Sequence, residues 1–298
     1  MKKTLREKII YPDDKRLLVE EALAHYFSSG ETYPQVVYEA MRHSLFSGGK
    51  RFRPVLTLLS AEAFGCEPED VLPTACAVEY IHTYSLIHDD LPAIDDDEMR
   101  RGQPTCHILF GEDIAILAGD ALLAEAFYLI ASLQKGEPSK TVQVIGELAE
   151  ASSARGMVGG QVADIISTGK QVDASTLEFI HTRKTGRLIQ AAARVGAILA
   201  NASEEEMEIL STYAHYLGLA FQITDDILDV VGQAEVLGKK VGADQHQLKA
   251  TFPDTFGLNK AMEMAREATD RAIEALDKLR ADTSSLANLA RFVCAREK

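Results

Sequence analysis

The sequence predicts an all-α fold. Apolar residues recur at the three-to-four spacing of helices along almost all of its 298 residues. No useful stretch alternates with period two, and no Asn-Gly or Asp-Gly pair marks a tight hairpin. In chain order, LLVEEALAHYF (17–27), VYEAMRHSLF (37–46) and PVLTLLSAEAF (54–64) each read as amphipathic helix. The stretch 68–90 opens with Pro68, carries Val71, Leu72, Ala75, Val78, Ile81 and Leu86 at helical intervals, and runs into His88-Asp89-Asp90. Further helices are expected over 111–132, 139–167, 173–200, 203–231, 258–279 and 283–296. The irregular stretch 232–254 is longer than most connections inside a domain, and such loops tend to be functional. No linker separates two zones of composition, so residues 1–298 are expected to form a single domain.

Composition narrows the function. The net charge of −14 argues against a nucleic-acid partner, which needs a basic surface. It leaves room for anionic small molecules, bound through a local basic cluster or through a cation held by carboxylates. The N-terminus lacks an apolar segment of signal-peptide length, and no window approaches ~18 consecutive apolar residues, the length of a membrane span. A cytoplasmic chain with no membrane span is therefore expected. Cys66, Cys76, Cys106 and Cys294 are scattered without CxxC spacing, which suggests neither a zinc site nor a disulfide framework.

Two acidic motifs sit on apolar helix ends. In HDDLPAIDDDEMRRG (88–102), Pro92 cannot continue a helix interior, so the helix should end near Asp89 and Asp90. The macrodipole disfavours anions there, and the turned segment can fold Asp95 back toward Asp89. In FQITDDILDVVG (221–232), Asp225 and Asp229 lie one turn apart on one face of a helix whose flanks look buried. Buried carboxylates need a counter-charge or their protons return. Oxygen-only ligands without histidine or cysteine point to magnesium, manganese or calcium. Magnesium usually completes its shell with water and substrate phosphates, so two carboxylate sets suggest a diphosphate clamped by several magnesium ions.

A diphosphate also calls for cations. Four clusters qualify: Lys50-Arg51-Phe52-Arg53 behind two glycines at a helix start, Arg100-Arg101 closing the first acidic run, Lys184-Thr185-Gly186-Arg187 interrupting a long helical pattern, and Lys239, Lys240 and Lys249 in the long loop. His82 lies two turns below Asp89 on the same helix face; a satisfied core histidine and a substrate contact are both open readings.

These segments, GGKRFRP, YSLIHDDLPAIDDDEMRRGQPTCH, GDALL, RKTGRLI, FQITDDILD and GKKVGADQHQLKATFP, run in one order across nearly the whole chain. In that order they resemble the bacterial-type trans-isoprenyl diphosphate synthases. The similarity is greatest to the farnesyl diphosphate synthases, with the geranylgeranyl diphosphate synthases next. The resemblance implies a single helical bundle of the isoprenoid synthase type around a central active-site cavity, a homodimer, and three magnesium ions on an allylic diphosphate, manganese being the alternative. By the same resemblance, Asp89 and Asp95 correspond to first-motif metal ligands with Asp90 supporting, and Asp225 to a second-motif ligand with Asp229 close by. Arg100, Lys184, Thr185, Gln222, Lys239 and Lys249 correspond to allylic-substrate contacts, and Lys50, Arg53, His82 and Arg101 to the isopentenyl diphosphate pocket. The implied activity is head-to-tail condensation of isopentenyl diphosphate with dimethylallyl or geranyl diphosphate. Five residues before Asp89, about 7.5 Å along the helix at 1.5 Å per residue, stands Tyr84 with Ser85 next. A ring at that depth would stop the tail, which favours a fifteen-carbon product. A geranylgeranyl diphosphate synthase and a non-catalytic subunit of a prenyl synthase remain the alternatives.

Overall fold

The computed structural model describes residues 11–27, 33–170, 172–231 and 251–296. Helices dominate: α1 (Asp13–Phe27), α2 (Gln35–Leu45), α3 (Phe52–Ala63), α4 (Leu72–Asp89) after a 3₁₀ turn at Pro68–Val71, α5 (Cys106–Phe110), α6 (Glu112–Leu133), α7 (Pro138–Ser152), α8 (Met157–Ser167), α9 (Ala174–His181), α10 (Arg187–Leu199), α11 (Glu204–Val231), α12 (Phe252–Phe256), α13 (Leu258–Leu276) and α14 (Ser284–Ala295). The all-α expectation holds. A central layer of α3, α4, α10 and α11 is flanked by α6, α7, α13 and α14. One apolar cluster runs from Val19 through Leu56, Ile81, Leu122 and Leu217 to Val293.

The helices are close because small residues let them be. A Cβ on Gly196 of α10 would lie 2.3 Å from the Thr57 carbonyl oxygen of α3. At the same crossing Thr57 Oγ1 donates to the Ala192 carbonyl at 2.8 Å. On α4 burial is unbroken from Leu72 to Ile81 and loosens from His82 onward, and this carries the first acidic motif to the rim of the bundle.

Two local expectations are corrected, and a third feature bears on the absence of a membrane span. The stretch 139–167 forms two helices, α7 and α8, because Ser153 Oγ donates back to the Glu150 carbonyl at 2.8 Å and accepts from Arg155 N–H at 3.1 Å. Such side-chain bonds compete with the helical ladder and end it. A two-residue ribbon, β1 (Met99–Arg100) with β2 (Gln103–Pro104), closes the first motif. Its turn residues Arg101 (φ 51°) and Gly102 (φ 77°) are both left-handed, the geometry of a type I′ hairpin reached without Asn-Gly. Finally, α6 is by length and composition apolar enough to cross a membrane, with mean hydropathy 1.9. Its Ala115, Ala118, Leu122, Ala126 and Ile130 are buried in the core, where α6 packs on α4 and α2.

Candidate active site

The first acidic motif is shaped by its own backbone. α4 ends at Asp89, and past Pro92 the chain doubles back: Asp95 N–H donates to the Asp89 carbonyl at 2.9 Å and Asp97 N–H to that of Asp90 at 3.2 Å. Asp95 is thereby returned beside Asp89, both half-buried. Asp90 is turned elsewhere. It is 3% exposed and accepts from Arg100 Nε at 2.7 and 3.0 Å, with Arg100 Nη2 at 2.6 Å. Burial pushes its carboxyl upward and the Arg100 guanidinium opposes that. Asp90 and Arg100 line a small separate cleft with His43 and Thr83. The expected substrate contact Arg100 is therefore engaged in clamping the acidic turn, and Asp97 stands 3.6 Å from it.

Facing this turn, the helical run of α9 and α10 carries one turn of π-helix, Thr182–Gly186. Such bulges widen the backbone and free carbonyls from the usual ladder. Gly160 of α8 permits the fit, since a Cβ there would lie 2.1 Å from Lys184 N. Lys184 Nζ donates to Asp164 Oδ2 at 2.7 Å. Burial works against the Lys184 charge, but Asp164, Asp89 and Asp95 together hold its pKa above the ordinary lysine value.

Thr185 Oγ1 donates to Gln222 Oε1 at 2.7 Å, and Gln222 Nε2 donates to Asp226 Oδ1 at 2.8 Å. Asp226 Oδ2 in turn accepts the Phe252 N–H at 2.9 Å. The second aspartate of FQITDDILD is thus an internal anchor that fastens α12 to α11. Asp225, its neighbour, accepts from Arg296 Nη2 at 2.8 Å. Burial raises its pKa, while Arg296, Arg53 and Lys50 draw it back. Asp229 follows one turn later, half-buried. Lys239 and Lys249 lie outside the described residues.

A cavity of about 260 Å³ opens beside Asp225, lined by Lys50, Arg53, His82, Arg101, Phe221 and Arg296 among others. Arg53 is 8% exposed, its Nε is buried without a partner, and burial brings its pKa down to about 10. Its Nη1 donates to His82 Nε2 at 3.3 Å. Burial, then Arg53, holds His82 well below the ordinary histidine range, so the ring is neutral at neutral pH. Gly49 (φ 127°) leaves room for the Arg101 guanidinium, 2.8 Å from where a Cβ would be. Arg51, the middle residue of the basic triplet, also borders the cavity, but its guanidinium is taken by Glu20 at 2.7 Å and by Glu79, another lining residue, at 2.7 Å.

Down α4 from Asp89, Tyr84 is 6% exposed and meets His88 edge-on, ring centroids 5.8 Å apart. Burial, then Asp89, pushes its hydroxyl up to about 12. Ser85 Oγ donates to the His82 carbonyl at 2.9 Å.

The sequence reading missed Asp164, Gln161 and Arg296. Gln161 carries two buried amide atoms with no partner. A polar pair three apart on the apolar helix MVGGQVADIIS was the available signal for Gln161 and Asp164. Arg296, at the end of α14, offered none.

The donor set is all oxygen, which fits hard divalent cations. Among the described residues no three acidic, histidine or cysteine side chains converge closely enough to cage an ion by themselves. Asp89, Asp95 and Asp225 therefore fit magnesium that brings part of its shell as phosphate oxygens, and not a metal resident in a protein-only cage.

An acidic turn, an acidic stretch on α11, a π-bulged lysine and a basic cavity on one all-α bundle agree with what most of the chain matches: it belongs to the polyprenyl synthetase family, whose model covers residues 34–290. Among its relatives, the farnesyl diphosphate synthase of Geobacillus stearothermophilus is 44% identical over 287 residues, 96% of each chain. The geranylgeranyl diphosphate synthase of Cyanophora paradoxa is 47% identical over 268 residues, 89% of each. A crystal structure of a farnesyl/geranylfarnesyl diphosphate synthase from Zymomonas mobilis superposes with a TM-score of 0.84 at 33% identity, covering 95% of this chain and 99% of that one.

Proposed function

We propose that this chain is a short-chain trans-prenyltransferase that condenses isopentenyl diphosphate head-to-tail with dimethylallyl and then geranyl diphosphate, releasing farnesyl diphosphate. The observation that carries the reading is the Lys184–Asp164 ion pair on the π-turn, whose ammonium is favoured by the charges of Asp89 and Asp95, together with the basic cavity lined by Lys50, Arg53 and Arg101. That arrangement suits two diphosphates held side by side. Bound magnesium supplies charge neutralisation that makes the allylic diphosphate a better leaving group. Asp89, Asp95 and Asp225 would hold it. Lys184 takes up negative charge developing on the departing oxygens. Thr185, Gln222 and the bulged carbonyls of the π-turn offer oxygen dipoles to the allylic cation. Lys50, Arg53, His82 and Arg101 hold the isopentenyl diphosphate so that its double bond meets C1, and loss of a proton completes the five-carbon extension. Tyr84 supports a fifteen-carbon limit. The same reading makes the protein a cytoplasmic, single-domain homodimer, supported by its unpaired cysteines and by exposed apolar residues along α6 and α8.

The test is incubation of the purified chain with dimethylallyl and isopentenyl diphosphates, with and without magnesium, and mass analysis of the prenyl alcohols. A magnesium-dependent fifteen-carbon alcohol is expected. A twenty-carbon product would replace the chain-length assignment, and no product would leave the non-catalytic subunit. Asp89→Ala should lower kcat by about 10²–10³-fold, the scale of losing one electrostatic stabiliser; near-normal turnover would remove Asp89 from the metal site.

A further inference from the structure

A chain of hydrogen bonds runs from α12 through α11 to the π-turn. The Phe252 N–H donates to Asp226 Oδ2 at 2.9 Å, Gln222 Nε2 donates to Asp226 Oδ1 at 2.8 Å, and Thr185 Oγ1 donates to Gln222 Oε1 at 2.7 Å. Asp226 is 2% exposed and sits one turn beyond Gln222 on α11. His181 Nε2 stands 3.8 Å from Asp226 Oδ2 and makes no hydrogen bond. Each bond in the chain has a forced direction. A backbone N–H only donates and a carboxylate only accepts, so the Gln222 amide presents nitrogen to Asp226 and oxygen to Thr185. The Thr185 hydroxyl gives its single proton to that oxygen, which leaves its lone pairs for the other side. Thr182, also in the π-turn, instead donates to the Glu178 carbonyl of its own helical run at 2.6 Å. Thr185 is thus tied across to α11 and not back along its own helix.

We propose that Asp226 is a positioning residue that sets the polarity of this chain, so that Thr185 turns oxygen lone pairs, and not its proton, toward the allylic cation. This rests on the function proposed above. A dipole aimed negative end first at developing positive charge lowers the barrier, and the same dipole reversed raises it. Low local dielectric strengthens both effects. The bond from the Phe252 N–H is buried, so that donor keeps an acceptor whatever stands at position 226. In Asp226→Asn the amide oxygen therefore stays with Phe252, and the amide nitrogen faces Gln222. The Gln222 amide must then turn over to accept from it. Its nitrogen meets Thr185, whose hydroxyl becomes the acceptor there and swings its proton toward the cation. An exchange of oxygen for nitrogen at 226 thus reverses a dipole two links away.

The experiment measures single-turnover condensation of geranyl diphosphate with isopentenyl diphosphate by the whole protein. Asp226→Asn should slow this step by about 10²-fold, the scale of one preorganised dipole. KM for both diphosphates and the magnesium concentration for half-saturation should stay at their wild-type values, because the cation exists only in the transition state. Thr185→Val removes the hydroxyl that the chain controls. In that background Asp226→Asn should slow the step by less than about three-fold, whereas lost charge or lost packing would slow both backgrounds alike. Adding Gln222→Glu to Asp226→Asn gives Thr185 a fixed acceptor again and should recover most of the rate, an outcome structural damage would not give. This double variant is the test if Asp226→Asn does not fold. An unslowed Asp226→Asn, equal losses in the two backgrounds, a raised magnesium requirement or no recovery in the double variant overturns the assignment. A wild type that makes no prenyl product would instead overturn the functional reading.

Discussion

Tyr84 and His181 are buried rings whose chemistry can be separated from their bulk. Tyr84→Ala opens space beneath Asp89, and the products should lengthen to twenty carbons or more; an unchanged product by mass analysis would mean that the tail does not reach this ring. His181 stacks on Phe252 with ring centroids 5.1 Å apart, and its Nε2 is buried without a hydrogen-bond partner. Burial lowers its pKa to about 4, below the unfolded value of about 6.5. The unfolded chain therefore binds the extra proton first. The contribution of His181 to stability is complete above about pH 6.5 and is lost as pH falls toward 4, with a slope of up to about 1.4 kcal/mol per pH unit. His181→Phe keeps the stack and removes the proton site. Its Tm should fall less than that of the wild type between pH 7 and 5 in thermal melts monitored by circular dichroism, and parallel pH curves would exclude His181 as the titrating group.

At the scale of elements, the contact of α8 with the π-turn is the most sensitive place. Gly160 lets the two backbones meet, and a Cβ there would strike Lys184 N and Cα at 2.1 and 2.6 Å. Gly160→Ala should destabilise by about 1–3 kcal/mol, the cost of overpacking a tight contact, and should lower kcat by displacing Lys184. Calorimetric Tm and steady-state rates would show both; a normal kcat with a lowered Tm would separate the crossing from the chemistry. Much of this level was legible in the chain. The helical periods placed α3, α4, α6, α11 and α13 within a few residues, and Pro92 placed the end of α4 and the return of Asp95. Side-chain choices were less legible because they depend on partners distant in sequence. Asp90 is taken by Arg100, Arg51 by Glu79 twenty-eight positions on, and Asp226 by a backbone N–H across the long loop. The one-turn spacing to Asp229 singles out Asp225 over Asp226, but no local pattern distinguishes Arg51 from Arg53. Burial and the choice of neighbour do that.

Across the whole molecule, the most apolar helix is only partly used by the core. On α6, Ile116, Leu117 and Tyr128 are 44%, 55% and 66% exposed, and on α8 Val162 and Ile166 are 52% and 62% exposed. Apolar faces of this kind mark interaction surfaces, and a second copy of the chain is the occupant that the homodimer reading assigns. Light scattering at micromolar concentration should give twice the chain mass of 32.6 kDa, and Leu117→Glu with Ile166→Glu should shift it toward one chain. An unchanged dimer would move the interface elsewhere.

The π-turn at 182–186 has a consequence for how this chain can vary. A wide turn is equivalent to one residue inserted into an otherwise regular helix, so every position after it is rotated by about 100° relative to an uninterrupted α-helix. Leu188, Ile189, Ala192 and Val195 are buried in that rotated register. Deleting one residue from the segment would relax the turn into ordinary helix with this apolar stripe still against α3, because the lost residue and the lost extra rotation cancel. Substitution without shortening leaves the surplus residue in place, and the wide turn has to absorb it if α10 is to stay seated. A single deletion therefore tests the bulge apart from the core.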